Sequence, residues 1–326
     1  MTRIAVMGGG LIGARHVERI LAHPTASCAG LIDPNPEVGQ GLSVDRFDTL
    51  RDCAADGVIV ATPTSLHTEH AKIAANHAIP VLIEKPVAGT LQDADQLSGI
   101  QTPILVGHHR RHHPRVKALK SILDQNEIGD PITATMIWAM RKPDAYFENN
   151  WRSTDGSPVL INLVHDLDLI GLYFGKITDI AALPAPPRRA SNRIDAGAIA
   201  LSTNAGVSVT ISFSDTAPSP WGFEAGTGEN PNIGTTHQDM MWITGTKGAV
   251  SFPSLTVWHG CDWSRPATAQ PSLDIQGPDP LDAQLDHFLD VIAGRAMPMC
   301  SLADGRAALA AALDIEHQLQ QRLIPC

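Results

Sequence analysis

The chain of 326 residues carries 24 Lys and Arg against 34 Asp and Glu, a formal net charge of −10 at pH 7. At ~150 residues per domain this is about two domains, and a hydrophobic fraction of 43% supports buried cores and excludes disorder. The acidic balance argues against nucleic-acid or anionic-membrane partners, and no run approaches the ~20 apolar residues of a bilayer span. Met1-Thr2-Arg3 leads into a short apolar run that stops at three glycines, so no signal peptide is expected in this stretch. Cys28, Cys53, Cys261, Cys300 and Cys326 are scattered without a CxxC spacing, so reduced thiols and a cytoplasmic location are expected. Among the 14 histidines, four fall within residues 108–113.

The first ~120 residues alternate short β-branched runs with helical stretches, the pattern of a parallel α/β sheet. Strands are expected at Ile4–Met7, Cys28–Ile32, Val58–Ala61, Val81–Ile83 and Ile104–Val106, and helices at Leu11–Ala22, Ser65–Asn76 and Pro114–Gln125. After Gly129 the text turns β-rich. Ile132–Met140, Ile177–Leu183, Gly197–Ser202, Val207–Phe213, Met240–Thr244 and Ala249–Phe252 read as strands, with helices at Pro158–Phe174, Pro280–Ala293 and Ser301–Arg322. Ser301 and Asp304 mark an N-cap with an acidic third position. Ser214–Gln238 is rich in Gly, Pro and Asn, and loops beyond ~15 residues are more often functional than neutral. A boundary near residue 120 gives domains 1–120 and 121–326.

Gly8-Gly9-Gly10-Leu11-Ile12-Gly13 follows a strand and opens a helix, and Asp33 ends the second strand 20 residues later. This is the dinucleotide fingerprint in its required context. Gly8 permits the tight turn, Gly10 lets backbone approach a pyrophosphate, and Gly13 permits close helix–strand packing. The free N–H groups at Leu11 and Ile12 face the phosphates. A carboxylate at Asp33 accepts from the adenosine ribose hydroxyls and repels a 2′-phosphate, and Pro34-Asn35-Pro36 offers no Arg to receive one. NAD is therefore expected over NADP.

Glu84-Lys85-Pro86 at the end of the Val81–Ile83 strand, with Ala61-Thr62-Pro63-Thr64-Ser65-Leu66-His67 upstream and His165-Asp166-Leu167-Asp168 downstream, resembles the Gfo/Idh/MocA oxidoreductases. That family is named for glucose–fructose oxidoreductase and inositol dehydrogenase. The resemblance runs nearly end to end. It implies a Rossmann domain followed by an α+β domain with an open-faced, mostly antiparallel sheet, the active site lying between them, and homodimers or homotetramers built through that sheet. It implies hydride transfer between NAD and a hydroxyl or carbonyl of a sugar, cyclitol or related small molecule. Two alternatives remain open: an enzyme using tightly held NAD without net redox, as in glycosidase or epimerase chemistry, and an NAD-sensing regulator.

Alcohol oxidation needs a proton acceptor and a donor to the developing alkoxide. Lys85 suits the donor role and His165, with a pKa near neutrality, the acceptor role. The family commonly carries an Asp four residues before this His; here Ile161 stands there, with Asn162 beside it. Asn162 and Asp168, three residues either side of His165, are the helix neighbours left to orient it. The family reading also places Thr62, Pro63, His67 and Glu84 around the nicotinamide half, and His108, Lys142, Tyr146, Trp151 and Arg152 toward substrate. The His108/His112 and His109/His113 pairs have the i,i+4 spacing of a metal chelate, but the stretch straddles a strand end and a helix start, and Arg110 and Arg111 repel a cation. No metal is expected, and His112 and His113 are left as solvated or packing residues.

Overall fold

Ile4, Ala5 and Val6 have no exposed surface. Such a run, apolar on both faces, belongs in the middle of a parallel sheet, and it forms β1 (Thr2–Met7). There follow α1 (Leu11–Ala22), β2 (Ala26–Ile32), β3 (Arg46–Phe47), β4 (Gly57–Val60), α2 (His67–Asn76), β5 (Val81–Ile83), α3 (Leu91–Asp95) and β6 (Ile104–Val106). The structure, a computed structural model, describes residues 1–148, 157–189, 193–260, 262–270 and 275–323. The six strands make one parallel sheet in the order β3-β2-β1-β4-β5-β6. Strand succession reverses between β1 and β4, where α/β sheets open a crevice beyond their strand C-termini.

The next stretch holds α4 (Pro114–Asp124), β7 (Pro131–Met140), α5 (Val164–Phe174), β8 (Ile177–Pro184), β9 (Ala196–Thr203), β10 (Ser208–Ser214), β11 (Pro218–Trp221), α6 (Phe223–Thr227), β12 (Met241–Gly245), β13 (Gly248–Phe252), β14 (Val257–His259) and β15 (Thr268–Ala269). Its sheet runs β15-β14-β13-β12-β7-β10-β9-β8, with β11 also paired to β7. Every pairing is antiparallel except β10 with β7. Along β10, Val209, Ile211 and Phe213 are buried and Ser208, Thr210 and Ser212 exposed. The exposed face carries threonine pairs, Thr133–Thr244 at 2.7 Å and Thr135–Thr210 at 3.1 Å. The open-faced, mostly antiparallel sheet is thus present. Ser214–Gln238 is not the structureless loop its composition suggests, since it contains β11 and α6. The expected helix Pro158–Phe174 forms in two geometries: Val159–Leu163 is π-helical, and α-helix begins only at Val164.

The chain ends with α7 (Pro280–Ile292) and α8 (Leu302–Arg322). It divides into two compact units, 1–112 with 278–309, and 113–277 with 310 onward. A single cut near residue 120 does not describe this return of 278–309 to the first unit. The return has a physical cause. Phe288 is fully buried, a Cβ on Gly57 would lie 2.4 Å from Ile292, and Arg19 of α1 pairs with Asp279 and Asp282 at 2.9 Å each. At the start of α8, Ser301 Oγ accepts from Asp304 N–H while the Asp304 carboxylate accepts from Ser301 N–H, a reciprocal cap.

In the second unit, Ser157 Oγ accepts from the Val159 and Leu160 N–H groups (3.1 and 3.3 Å) and donates to the Glu316 carboxyl of α8. Burial pushes that carboxyl from the usual 4.5 up to about 7, against the opposing pull of Arg193.

Two outcomes follow from this packing. Phe288→Ala leaves a large void in the first unit and lowers stability by about 3–5 kcal/mol in urea denaturation, although it lies far along the chain from β1–β6. Because the folded-state value of Glu316 is raised, the stability tied to its protonated form is complete below pH ~4.5 and lost as pH rises through about 7. Glu316→Gln, permanently neutral, removes that loss, and the urea midpoint of the variant becomes flatter than wild type between those values.

Candidate active site

The loop between β1 and α1 is a contact of bare backbones. A Cβ on Gly13 would stand 1.9 Å from the Gly8 carbonyl oxygen, and one on Gly8, whose φ is +92°, would stand 2.6 Å from the Ala61 carbonyl. A Cβ on Gly10 meets nothing within 4 Å, so that side of the loop is open. Gly10 caps α1 without a side-chain hydrogen bond, and no acid sits in the first turn. The helix start therefore presents N–H groups and a positive dipole end to space, with Leu11 82% exposed at its lip. Asp33 closes the arrangement: its Oδ2 accepts from Gly9 N–H at 2.7 Å and its Oδ1 from Asn35 N–H at 2.9 Å. These residues fit a dinucleotide, with Gly8, Gly10, Leu11, Ile12 and Gly13 around a pyrophosphate and Asp33 toward a ribose. Arg46 of β3 was not foreseen. Its guanidinium donates to the carbonyls of Val38 (2.7 Å) and Asn35 (2.9 Å) and braces the turn after Asp33.

At the end of β5, Glu84 is buried and its Oε1 lies 2.8 Å from His16 Nε2 of α1. Burial works to raise this carboxyl, but the His16 hydrogen bond and charge, with His109 and Lys85 beyond, hold it down at about 2. It is therefore an anion at any physiological pH. Lys85 N–H donates to its Oε2 at 3.2 Å, and the Lys85 side chain is half-buried. The Lys85–Pro86 peptide is cis. His67 is turned inward and 2% exposed, with Nδ1 2.9 Å from the Pro86 carbonyl and Nε2 2.9 Å from the Thr62 carbonyl. Burial pushes its pKa down. His67 thus ties the loop after β4 to the Lys85-Pro86 turn from beneath. Thr62 Oγ1 bonds His70 Nδ1 at 3.0 Å, and Pro63 is exposed on the same loop.

Three of the clustered histidines, His108, His112 and His113, are buried, and His109 is half-buried. His109–His112 is a 3-10 turn, which breaks the α-helical spacing a chelate would need. His108 is 1% exposed. His112 packs on His287 with ring centroids 5.2 Å apart, and Arg111 donates to the Met299 carbonyl at 2.8 Å. His113 caps α4 by accepting from Arg115 N–H and lies edge-on to Phe223. Among the described residues, no group of three His, Cys, Asp or Glu side chains is placed to hold a metal ion.

In the second unit, His165 is the second residue of α5, and it is buried with Asp166 and Asp168. Asn162 lies in the π-helical segment just before it. Its Oδ1 accepts from Lys142 Nζ at 2.6 Å, and its Nδ2 donates to Glu224 Oε1 at 3.4 Å. Glu224 Oε2 accepts from Trp138 Nε1 at 3.2 Å. Lys142 Nζ also sits 4.7 Å above the Tyr146 ring. Asn162 is therefore held by Lys142 and by a carboxylate from α6, that of Glu224. That acid lies 62 residues from Asn162, and no local spacing signals it. Trp151 and Arg152 lie outside the described residues.

The family model described as "Oxidoreductase family, NAD-binding Rossmann fold" matches residues 2–101, and the GFO/IDH/MocA C-terminal domain matches residues 116–251. An inositol 2-dehydrogenase of Mycolicibacterium vanbaalenii is 29% identical over 189 residues, 53% of this chain and 54% of that protein. The chain thus spans about half the length of that relative. A UDP-N-acetylglucosamine 3-dehydrogenase of Acidithiobacillus ferrooxidans is 26% identical over 331 residues, 96% of both chains. A solved structure of UDP-N-acetylglucosamine 3-dehydrogenase from that organism superposes with a TM-score of 0.78 at 24% identity, covering 99% of each chain, and carries the fold comparison alone. Matched in chain order by both domain models, this chain belongs to the GFO/IDH/MocA family of NAD-binding Rossmann oxidoreductases.

Proposed function

We propose that the protein is an NAD-dependent dehydrogenase that oxidises a ring hydroxyl of a sugar, cyclitol or related polyhydroxylated small molecule. The observation that carries the reading is in the first unit: an uncapped helix start over a side-chain-free glycine loop, with the Lys85 ammonium two strands away on the loop after β5. Relatives named for oxidising inositol and UDP-N-acetylglucosamine support the substrate class.

Bound NAD supplies the hydride acceptor; the chain supplies everything that concerns the proton and the alkoxide. Lys85 donates to the substrate oxygen as negative charge develops there, with the Glu84 carboxylate accepting from its backbone N–H. His165 takes the hydroxyl proton, with Asp168 on its own helix to hold the ring. Asn162 cannot take a proton; braced by Lys142 and Glu224, it offers a fixed amide to a substrate hydroxyl, and Lys142 and Tyr146 line the approach. In this reading the first unit is the cofactor half and the second the substrate and oligomerisation half. The exposed face of the second sheet, with Trp242 and Ile132 more than a third exposed, suits pairing with a second copy. Cys28 and Cys53, both unbonded thiols raised by burial, suit a reducing cytoplasm. Asp33 and the engagement of Arg46 with backbone carbonyls favour NAD over NADP.

Lys85→Ala is expected to lower kcat by about 10²–10⁴-fold while NADH binding, read by fluorescence, survives; full activity would sink the assignment. With wild type, kcat/KM is higher for NAD than for NADP, and Asp33→Ala narrows that ratio. A wild-type preference for NADP would overturn the role given to Asp33.

A further inference from the structure

Beyond the end of β7, Arg141, Asp144, Phe147, Arg188, Arg189 and Thr216 line a cavity of about 460 Å³ within the second unit, inside the ~300–1,000 Å³ range of small-molecule sites. Three arginines face one aspartate there, on a chain whose net charge is −10. Such a local reversal of sign focuses an anion.

The acids nearby are already engaged. Asp144 pairs with Arg189 at 2.5 Å, and Asp215 pairs with Arg193 at 2.7 Å. Arg189 is held further by the carbonyls of Lys142 and Asp215 (3.0 and 2.9 Å) and by the Phe147 ring, 4.4 Å from its guanidinium. The Arg188 and Arg189 N–H groups both donate to Asp195 Oδ2, which pins the turn that carries them. Arg141 and Arg188 are exposed, and among the described residues neither side chain is in an ion pair. Two arginine forks are thus presented on a rigid wall, the geometry that suits phosphoryl oxygens. Among the described residues that line the cavity, three arginines against one aspartate leave a positive surplus, which suits an anion such as a phosphate, at about −1.5 to −2.

The cavity also adjoins the polar network of the catalytic helix. Lys142 follows Arg141 directly; its ammonium is 4.7 Å from the Tyr146 ring, and that ring is 5.1 Å from Phe147 of the cavity wall. We propose that this cavity is a phosphoryl-binding subsite, and that the substrate is a phosphorylated sugar whose anion is held by Arg141 and Arg188 while its ring meets Asn162 and Lys142. The substrate part of this statement rests on the dehydrogenase reading above; the binding part does not.

Calorimetry of the full chain with inorganic pyrophosphate, under saturating NAD so that the glycine loop is filled, reads the cavity without turnover. Wild type binds, and the double variant Arg141→Ala/Arg188→Ala binds at least about tenfold more weakly, with lysines at both positions in between. Absent binding, or equal binding by the double variant, overturns the subsite. Steady-state assays then compare glucose 6-phosphate and UDP-glucose with glucose, which separates a monophosphate from a nucleotide diphosphate as the source of the anion. The double variant lowers the phosphorylated-to-neutral ratio of kcat/KM about tenfold, through KM more than kcat; an unchanged ratio overturns the proposal. Arginine-dependent pyrophosphate binding with no NADH formed from any polyol, neutral or phosphorylated, leaves the subsite standing and fells the dehydrogenase reading. Oxidation of neutral polyols without pyrophosphate binding does the opposite.

Discussion

The first unit is organised by one steric constraint: three stretches of backbone meet with no side chain between them. Gly13 of α1 lies against the Gly8 carbonyl, and Gly8 against Ala61 and Thr62 beyond β4. Any side chain at Gly13 would push the helix off the sheet, and the crevice at the β1–β4 reversal would lose its shape. The constraint reaches further through hydrogen bonds. The His67 ring lies between the Thr62 and Pro86 carbonyls, 2.9 Å from each, and so the turn bearing Lys85 is set against the loop after β4 through one imidazole.

Much of the architecture is legible because buried parallel strands advertise themselves. Ile4–Met7, Val58–Ala61, Val81–Ile83 and Ile104–Val106 are apolar and bounded by turn residues; the last two form with those bounds, while the first two form as Thr2–Met7 and Gly57–Val60. The nucleotide loop is legible for a similar reason, since glycines at fixed spacing answer a local steric demand. What escapes is whatever depends on distant partners. The return of α7 rests on ion pairs 260 and more residues apart, Arg19 with Asp279 and Asp282. Glu224 serves Trp138 from 86 residues away. The histidine cluster is only half legible: its spacing leaves His112 and His113 as solvated or packing residues, and the structure buries both, against another ring and at a helix start, contacts that leave no period in the sequence.

Charge is placed by two different devices. Glu84 is buried and kept ionised by a histidine partner and cations beyond it, a fixed negative point in a low-dielectric setting. The arginine cavity does the reverse, gathering positive charge in the open and committing its acids to the residues that form the wall. An acidic chain can therefore handle anionic ligands in two places, at the helix N–H groups of the first unit and at guanidinium forks in the second, without a basic surface overall.

The π-helical stretch Val159–Leu163 has a bearing on how this chain can change over generations. Counting four residues back from His165 lands on Ile161, inside a stretch where four residues no longer complete a turn. Loss of a single residue there would tighten the segment to an ordinary helix, since an i→i+5 turn holds one residue more than an i→i+4 turn, and would change which side chain the tightened turn presents. Asn162 would leave Lys142 and Glu224, and a different side chain would face them. A one-codon deletion is thus enough to exchange the polar lining of this helix while His165, Asp166 and Asp168 stay where they are.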